Sequence, residues 1–322
     1  MKISVITPIF NREDCAERCL KSVIASAEGL SDDTVVEHVI VDDGSSDRSA
    51  LICEDYAKRF PMIKFIKLPK NRGTNAARNT AINAATGDFC VFLDSDDYFT
   101  ADALPFIAST IKANPTYQHY MFAPDDCIDY YTANTFIQGA DSKVLTYANF
   151  LNNDINCDFI HTVKADILRK YPFDEHLRIY EGLFFLRFYR DCQRMLFTNR
   201  IVTIRERSRA DSVSRETIRT SKAVIQRKIT YAELNLKWFR EDYLAMGLNA
   251  RINSLLVQLI DNYLLLADYN KATTLNNELI ANNGSLPSHL KVVMTLRLGS
   301  LYRWMLKSFL LLKYNVLKAH VK

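Results

Sequence analysis

The chain has 322 residues, of which 48% are hydrophobic and 24% charged, with a formal net charge of +4. That composition excludes a disordered or fibrous chain and suits one large α/β domain, or one domain plus an extension. So small a charge excess does not mark a nucleic-acid binder, and seven scattered cysteines without a C-x-x-C pair suggest neither a zinc ribbon nor a disulfide framework.

The cysteines read as reduced cytosolic thiols. The start, from Met1 to Pro8, has too short an apolar run for a signal peptide. Nowhere does the chain approach the roughly 18 uninterrupted apolar residues of a membrane span. The expected location is cytoplasmic, with any membrane association peripheral.

In chain order, short apolar runs predict buried strands over 3–7, 36–41, 64–68 and 89–93. Between them, apolar residues recurring at three and four positions predict helices over 14–27, 49–60 and 74–85. This alternation predicts an α/β fold with a Rossmann-like, mostly parallel sheet covered by helices. The loops after the first, second and fourth strands hold Asn11, Asp42-Asp43-Gly44-Ser45 and Asp94-Ser95-Asp96-Asp97. Ligands of open α/β sheets bind beyond the carboxyl ends of the strands, so these loops are expected to converge on one crevice. From 125 to about 215 the pattern is less regular, with a stretch rich in Tyr, Phe and Arg over 180–209, and is expected to complete the domain and receive a second substrate. After 217 the chain reads helical, broken by turn signals at Asn282-Asn283-Gly284-Ser285 and Pro287. The expected division is therefore 1–216, with 1–125 on the nucleotide side and 126–216 on the acceptor side, and a helical extension over 217–322.

The most pointed feature is a strand running directly into Asp94, Asp96 and Asp97. Adjacent carboxylates repel and raise one another's pKa unless a cation neutralises them, and Mn²⁺ or Mg²⁺ shared with phosphate oxygens does so. The alternative is an acidic turn capping the next helix. Asp42 and Asp43 again end a strand in acids that can accept from a base or a ribose, although Ser45 to Asp47 also fit a turn with Asp47 as helix cap. In Asn71-Arg72-Gly73-Thr74-Asn75-Ala76-Ala77-Arg78-Asn79 a glycine opens a helix carrying two arginines, which suits a phosphate clamp or equally a solvated helix start.

Taken in order, Thr7-Pro8-Ile9-Phe10-Asn11, Val41-Asp42-Asp43-Gly44-Ser45, Asn71 to Asn79, Gly87-Asp88 and Asp94 to Asp97 resemble the motifs of family 2 glycosyltransferases with the GT-A fold. The resemblance covers about the first 125 residues and continues more weakly to about 215. It implies a UDP- or dTDP-sugar donor, Mn²⁺ or Mg²⁺, and inversion at the anomeric carbon. Carried over, Thr7, Pro8 and Asn11 would line the nucleoside pocket and Asp43 would accept from the base. Arg72 and Arg78 would lie towards the nucleotide, Asp94 and Ser95 near ribose and donor sugar, and Asp96 would ligate the metal with Asp97 in support. Family members commonly place the base in a Glu-Asp pair before an aromatic run. Here the pair reads Glu181-Gly182, so Glu181 is the expected base, with Asp191, Asp211 or an inactive site as alternatives. Arg205, Arg207 and Ser212-Val213-Ser214 resemble a segment closing over the diphosphate, or form a solvated basic turn. His161 resembles an acceptor-side position, or is merely packed; the six histidines have no metal-ligand spacing, so no zinc is expected.

Over 286–322 stand Lys291, Arg297, Arg303, Lys307, Lys313, Lys318 and Lys322, with no Asp or Glu and with a broad apolar face that includes Trp304. A basic amphipathic segment of this kind suits the surface of a membrane; the alternative is packing on the catalytic domain or in a homodimer. The resulting expectation is an enzyme adding a sugar to a glycan, on a lipid carrier, in O-antigen, capsule or lipopolysaccharide synthesis. Its rivals are a silent nucleotide-binding scaffold and a sugar nucleotidyltransferase, whose glycine-rich, lysine-containing loop is missing here.

Overall fold

The apolar run after Lys2 becomes the centre of the sheet. The protein is described by a computed structural model over residues 1–177, 180–206 and 221–311. Strand β1 (Lys2–Ile9) is followed by α1 (Ala16–Ala27), β2 (Val35–Asp42), α2 (Ser49–Arg59), β3 (Ile63–Lys67), α3 (Thr74–Ala84) and β4 (Phe89–Phe92). Then come β5 (Tyr98–Phe99), α4 (Ala103–Ala113), β6 (His119–Pro124), α5 (Ile128–Ala133), β7 (Ser142–Thr146), α6 (Tyr147–Leu151), β8 (Ile160–Lys164), α7 (Ala165–Lys170), α8 (Glu181–Cys192) and β9 (Arg194–Ile204). Contacts within the chain divide it into two units, Met1–Ser208 and Arg209–Lys322.

In the first unit the strand order is β3-β2-β1-β4-β8-β6-β9-β5, with β7 also on β9. Strands β1 to β4 are mutually parallel, as are β6 and β9. Strand β8 runs antiparallel between β4 and β6, and β5 and β7 run antiparallel to β9. The sheet is thus mostly parallel but mixed in its second half, where the sequence pattern is irregular. Register brings Ile9 opposite Asp42 and Ile6 opposite Phe92, so the loops after β1, β2 and β4 leave the sheet at the same edge.

Ile3, Val5, Val23, Leu104, Ile107, Tyr120 and Phe122 share one core. Ile9, Leu20, Ile40, Cys53 and Tyr56 form another beneath α1 and α2. The small residues Ala76, Ala77 and Ala81 are fully buried where α3 meets β1 and β2. Small side chains let that helix lie close to the sheet.

The second unit holds α9 (Lys222–Ala245), α10 (Asn249–Leu265), α11 (Tyr269–Ala281), α12 (Ser288–Thr295) and α13 (Gly299–Leu311). The expected break at 282–287 is there. Three more divide what the sequence presents as continuous helix. Gly247, at φ +70°, ends α9 with Leu248 N–H donating to Tyr243 O at 2.7 Å, a left-handed helix stop. Ala267 and Arg297 take the same left-handed turn at φ 60° and 53°. A tertiary fit imposes that conformation on residues with no local preference for it.

Candidate active site

Loops after β1 and β2 are stitched together. Asn11 adopts φ 51°, which aims its N–H at Ser45 Oγ (2.9 Å) while its Oδ1 accepts from Ser46 N–H (2.9 Å). Next to it Arg12 N–H donates to Ser49 Oγ (2.6 Å) and Glu13 N–H to Asp47 Oδ2 (3.0 Å). Asp43 adds the third loop: its two oxygens accept from the N–H groups of Arg72 (2.8 Å) and Gly73 (2.7 Å). Gly44, at φ +73°, lies so close to this loop that a Cβ would sit 2.7 Å from the Lys70 carbonyl carbon. Asp43 is only 2% exposed, so it serves here as a fastener between loops, a role the sequence does not disclose.

Thr7 and Pro8 lie buried below these loops. The Thr7 hydroxyl is 2.8 Å from His38 Nε2, and both line a small cavity together with Ile9, Cys19 and Ser95. Phe10, by contrast, is among the exposed large apolar side chains.

The centre of the site is Arg78. Its guanidinium donates to Asp94 Oδ1 at 2.9 Å and to Glu181 Oε1 at 3.0 Å, and it lies 5.6 Å from the centre of the Phe173 ring. One cation therefore ties the acidic loop after β4 to the first turn of α8, where Glu181 lies 103 residues beyond Arg78 in the chain. Arg78 is 14% exposed on its side chain, whereas Asp94 keeps 52% open to solvent. Burial opposes ionisation of Asp94, but Arg78, with Arg205 and Arg12 behind it, outweighs this and holds the carboxyl below its usual range.

Around the other acids the balance differs. Burial, and then the charges of Asp94 and Asp96, push Asp97 up to about 7, against the Glu206 N–H (3.0 Å) and Arg205. Asp96 meets Arg12 Nε only at 3.5 Å, and its backbone oxygen accepts from Arg18 at 2.8 Å. Carboxylates set side by side in this way suit a divalent cation. Among the described residues no three or more His, Cys, Asp or Glu side chains are grouped to enclose one. An ion bound through one or two carboxylates would take its remaining oxygens from phosphate and water.

Helix α3 also positions the segment leading to Glu181. Asn79 donates to Phe173 O (2.9 Å) and accepts from Phe173 N–H (2.8 Å), while Asn75 donates to Asp174 O (2.8 Å) and Leu177 O (3.0 Å). Arg72 pairs with Glu175 at 2.7 Å. Asn75, Arg78 and Asn79 stand at i, i+3 and i+4, the spacing of one helical face, which is the signal for a positioning role that the sequence reading did not assign; it set Arg78, with Arg72, towards the nucleotide.

Other candidates separate cleanly. Asp191 pairs with Lys170 at 2.6 Å, which makes it a structural charge on α7 and α8. Arg205 sits among Asp97, Asp126 and Asp158, 2.9 Å from the last. Arg207, Asp211 and Ser212-Val213-Ser214 lie outside the described residues. His161 is packed: its Nδ1 lies 3.0 Å from His119 Nε2 and its ring stacks on Phe185 at 4.0 Å.

Residues 4–172 match Glycosyl transferase family 2. Bacterial relatives at 36–42% identity align over about 100 residues, and the matched stretch spans only 14–27% of their length. A longer alignment, 27% identical over 240 residues and 72% of each chain, is to the GalNAc(5)-diNAcBac-PP-undecaprenol beta-1,3-glucosyltransferase of Campylobacter jejuni. Among solved structures, S. aureus TarS 1–349 in complex with UDP-GlcNAc superposes with a TM-score of 0.61 at 18% identity, covering 95% of this chain and 88% of that one. The mannosyltransferase PcManGT of Pyrobaculum calidifontis, in complex with GDP-Man and Mn²⁺, gives 0.55 at 20% identity over 96% and 84%. The fold is that of GT-A glycosyltransferases, and the chain belongs to glycosyl transferase family 2.

Proposed function

We propose that this family 2 glycosyltransferase moves one sugar from a UDP- or dTDP-linked donor to a hydroxyl of a lipid-linked, cell-surface glycan, with inversion at the anomeric carbon. The observation that carries the reading is the Arg78 bridge, which sets an acid of the donor loop and a carboxylate on the opposite wall at fixed positions. The loops holding Asn11, Asp43 and Arg72 form the nucleoside end, with the exposed ring of Phe10 as a stacking platform for the base. Asp94 and Ser95 face ribose and donor sugar.

Asp96 would hold Mn²⁺ or Mg²⁺, which when bound neutralises the departing diphosphate. Glu181 takes the proton of the acceptor hydroxyl as that oxygen attacks the anomeric carbon from the face opposite the breaking bond to phosphate. Arg78 keeps Glu181 from turning away during the attack. The Campylobacter relative, named for an undecaprenol-linked acceptor, supports a lipid-linked substrate, and the Mn²⁺ complex of PcManGT supports the metal.

A nucleotide-binding subunit without turnover is the rival, and Gly182 motivates it: the carboxylate expected beside Glu181 is missing, and Glu181 is already engaged by Arg78. Calorimetry with UDP, dTDP, GDP and CMP, with and without Mn²⁺, separates the readings when joined to donor hydrolysis and transfer to lipid-linked acceptors. Metal-enhanced UDP or dTDP binding with turnover is expected, and Asp96→Ala is expected to abolish the enhancement. Binding without turnover on any acceptor favours the subunit, and no nucleotide binding overturns both.

A further inference from the structure

Val292, Leu296, Leu301, Trp304, Met305 and Phe309 are all exposed, Trp304 at 64% and Phe309 at 57%. Among the other described residues the exposed large apolar side chains, such as Val35, Leu51 and Ile280, stand apart in the sequence. Isolated ones need no explanation, whereas a contiguous group marks a surface made for contact. On α13, positions 301, 304, 305 and 309 follow the three- and four-residue spacing that places them on one stripe.

The opposite side of this helix is fixed. Gly299 N–H donates to Tyr269 Oη (2.9 Å), which itself donates to Arg297 O (2.7 Å). Gly299 also lies so tightly on α10 that a Cβ would come within 2.1 Å of Leu264 O. Tyr302 points inward, its ring 6.4 Å from His289. The corner between α12 and α13 is therefore locked, and the apolar stripe cannot roll inward.

Lys291, Arg297 and Lys307 are exposed along the same two helices. No acid occurs anywhere over 286–322. A second copy of the same face would set cations opposite cations, since a two-fold contact pairs a patch with itself. An anionic bilayer meets both properties at once.

We propose that α12 and α13 form a lipid-docking face, in which Leu301, Trp304, Met305 and Phe309 enter the boundary between headgroups and acyl chains while Lys291, Arg297 and Lys307 contact anionic headgroups. Aromatic and cationic side chains are suited to those two depths. This inference stands apart from the transferase reading, because nucleotide binding and lipid binding are measured separately.

The test is cosedimentation of the full chain with phosphatidylcholine vesicles, with and without phosphatidylglycerol, read together with tryptophan emission. Binding is expected on the anionic vesicles, weakening as salt rises, with a blue shift that Trp304→Phe removes and Trp238→Phe retains. The double variant Trp304→Glu/Phe309→Glu is expected to lower partitioning by at least about tenfold while circular dichroism and nucleotide binding stay unchanged. Partitioning that ignores this variant, or its absence on anionic vesicles, overturns the proposal. Concentration-dependent dimers that dissolve in the variant, with no vesicle binding, would assign the face to a second copy instead.

Discussion

Replacing Arg78 by alanine withdraws the cation that Asp94 and Glu181 share. Breaking a buried ion pair costs roughly 3–5 kcal/mol because the partner charge is left uncompensated. Here the Arg78 side chain is 14% exposed but Asp94 keeps 52% open to solvent, and water screens the orphaned charge. The expected loss is therefore about 2 kcal/mol, which lowers Tm by roughly 4–8 °C for a unit the size of Met1–Ser208. Freed from its tether, Glu181 is expected to leave its reacting position, and a displacement of about 1 Å costs on the order of a hundredfold in rate. Arg78→Lys restores charge without the planar fork that reaches two carboxylates, so it should recover Tm more fully than rate. Donor-sugar hydrolysis and thermal unfolding of the three proteins check this. An alanine variant with native rate and Tm, or a lysine variant with native rate, would refute the bridge as the organising element of the site.

Three buried histidines give the first unit a marked acid sensitivity. Burial holds His38 and His161 at about 3, and burial with the His161 neighbour holds His119 well below its ordinary value. The unfolded chain binds protons that the folded chain refuses, so stability falls as pH drops below about 6.5. At pH 5 His38 and His161 together cost about 4 kcal/mol and His119 acts in the same direction, while Asp97, with a raised folded pKa and hence the opposite sign, offsets about 2 to 3. Urea titrations of metal-free protein are thus expected to lose at least about 1 to 2 kcal/mol between pH 7.5 and pH 5, and identical midpoints would contradict the account. Asn79→Ala removes both hydrogen bonds to Phe173 and is expected to cost about 1 to 3 kcal/mol; in steady-state assays it should lower kcat with little change in donor KM, and a pure KM effect would place Asn79 on the donor instead. At Gly182 an added Cβ meets nothing within 4 Å, so Gly182→Asp is expected to fold normally and gain about 0.3 to 1 kcal/mol near the start of α8. A lower Tm would show that the position cannot take a carboxylate.

The donor half was legible because β1 to β4 run parallel and carry short apolar runs, and their loops carry residue types with few other uses. Asn11, Asp43 and Asp94 to Asp97 do gather at one edge of the sheet, as strand ends alone dictate. Less visible was the second half, where short strands β5, β7 and β8 owe their pairing to partners far away in the chain and leave little periodicity behind. Glu181 and Arg78 each stood out singly, but no local rule links residues 103 positions apart. The same holds for the His119 and His161 pair, which only adjacent antiparallel strands bring together. In the second unit the break at 282–287 was legible, whereas the one at Ala267 was not, because alanine carries no signal for a left-handed turn.

Strand β8, inserted between β4 and β6, also sets a schedule. During synthesis β1 to β4 emerge first, yet the free edge of β4, Phe89-Cys90-Val91-Phe92, waits for a partner that begins at Ile160. At about 5–20 residues per second that interval lasts on the order of several seconds. Throughout it the nascent chain displays an apolar, unpaired strand edge of the kind that recruits other strands. The donor half is therefore not a portable module: cut after β6, it would keep that edge permanently and aggregate, and the ribosome-bound chain is most in need of a chaperone between β4 and β8.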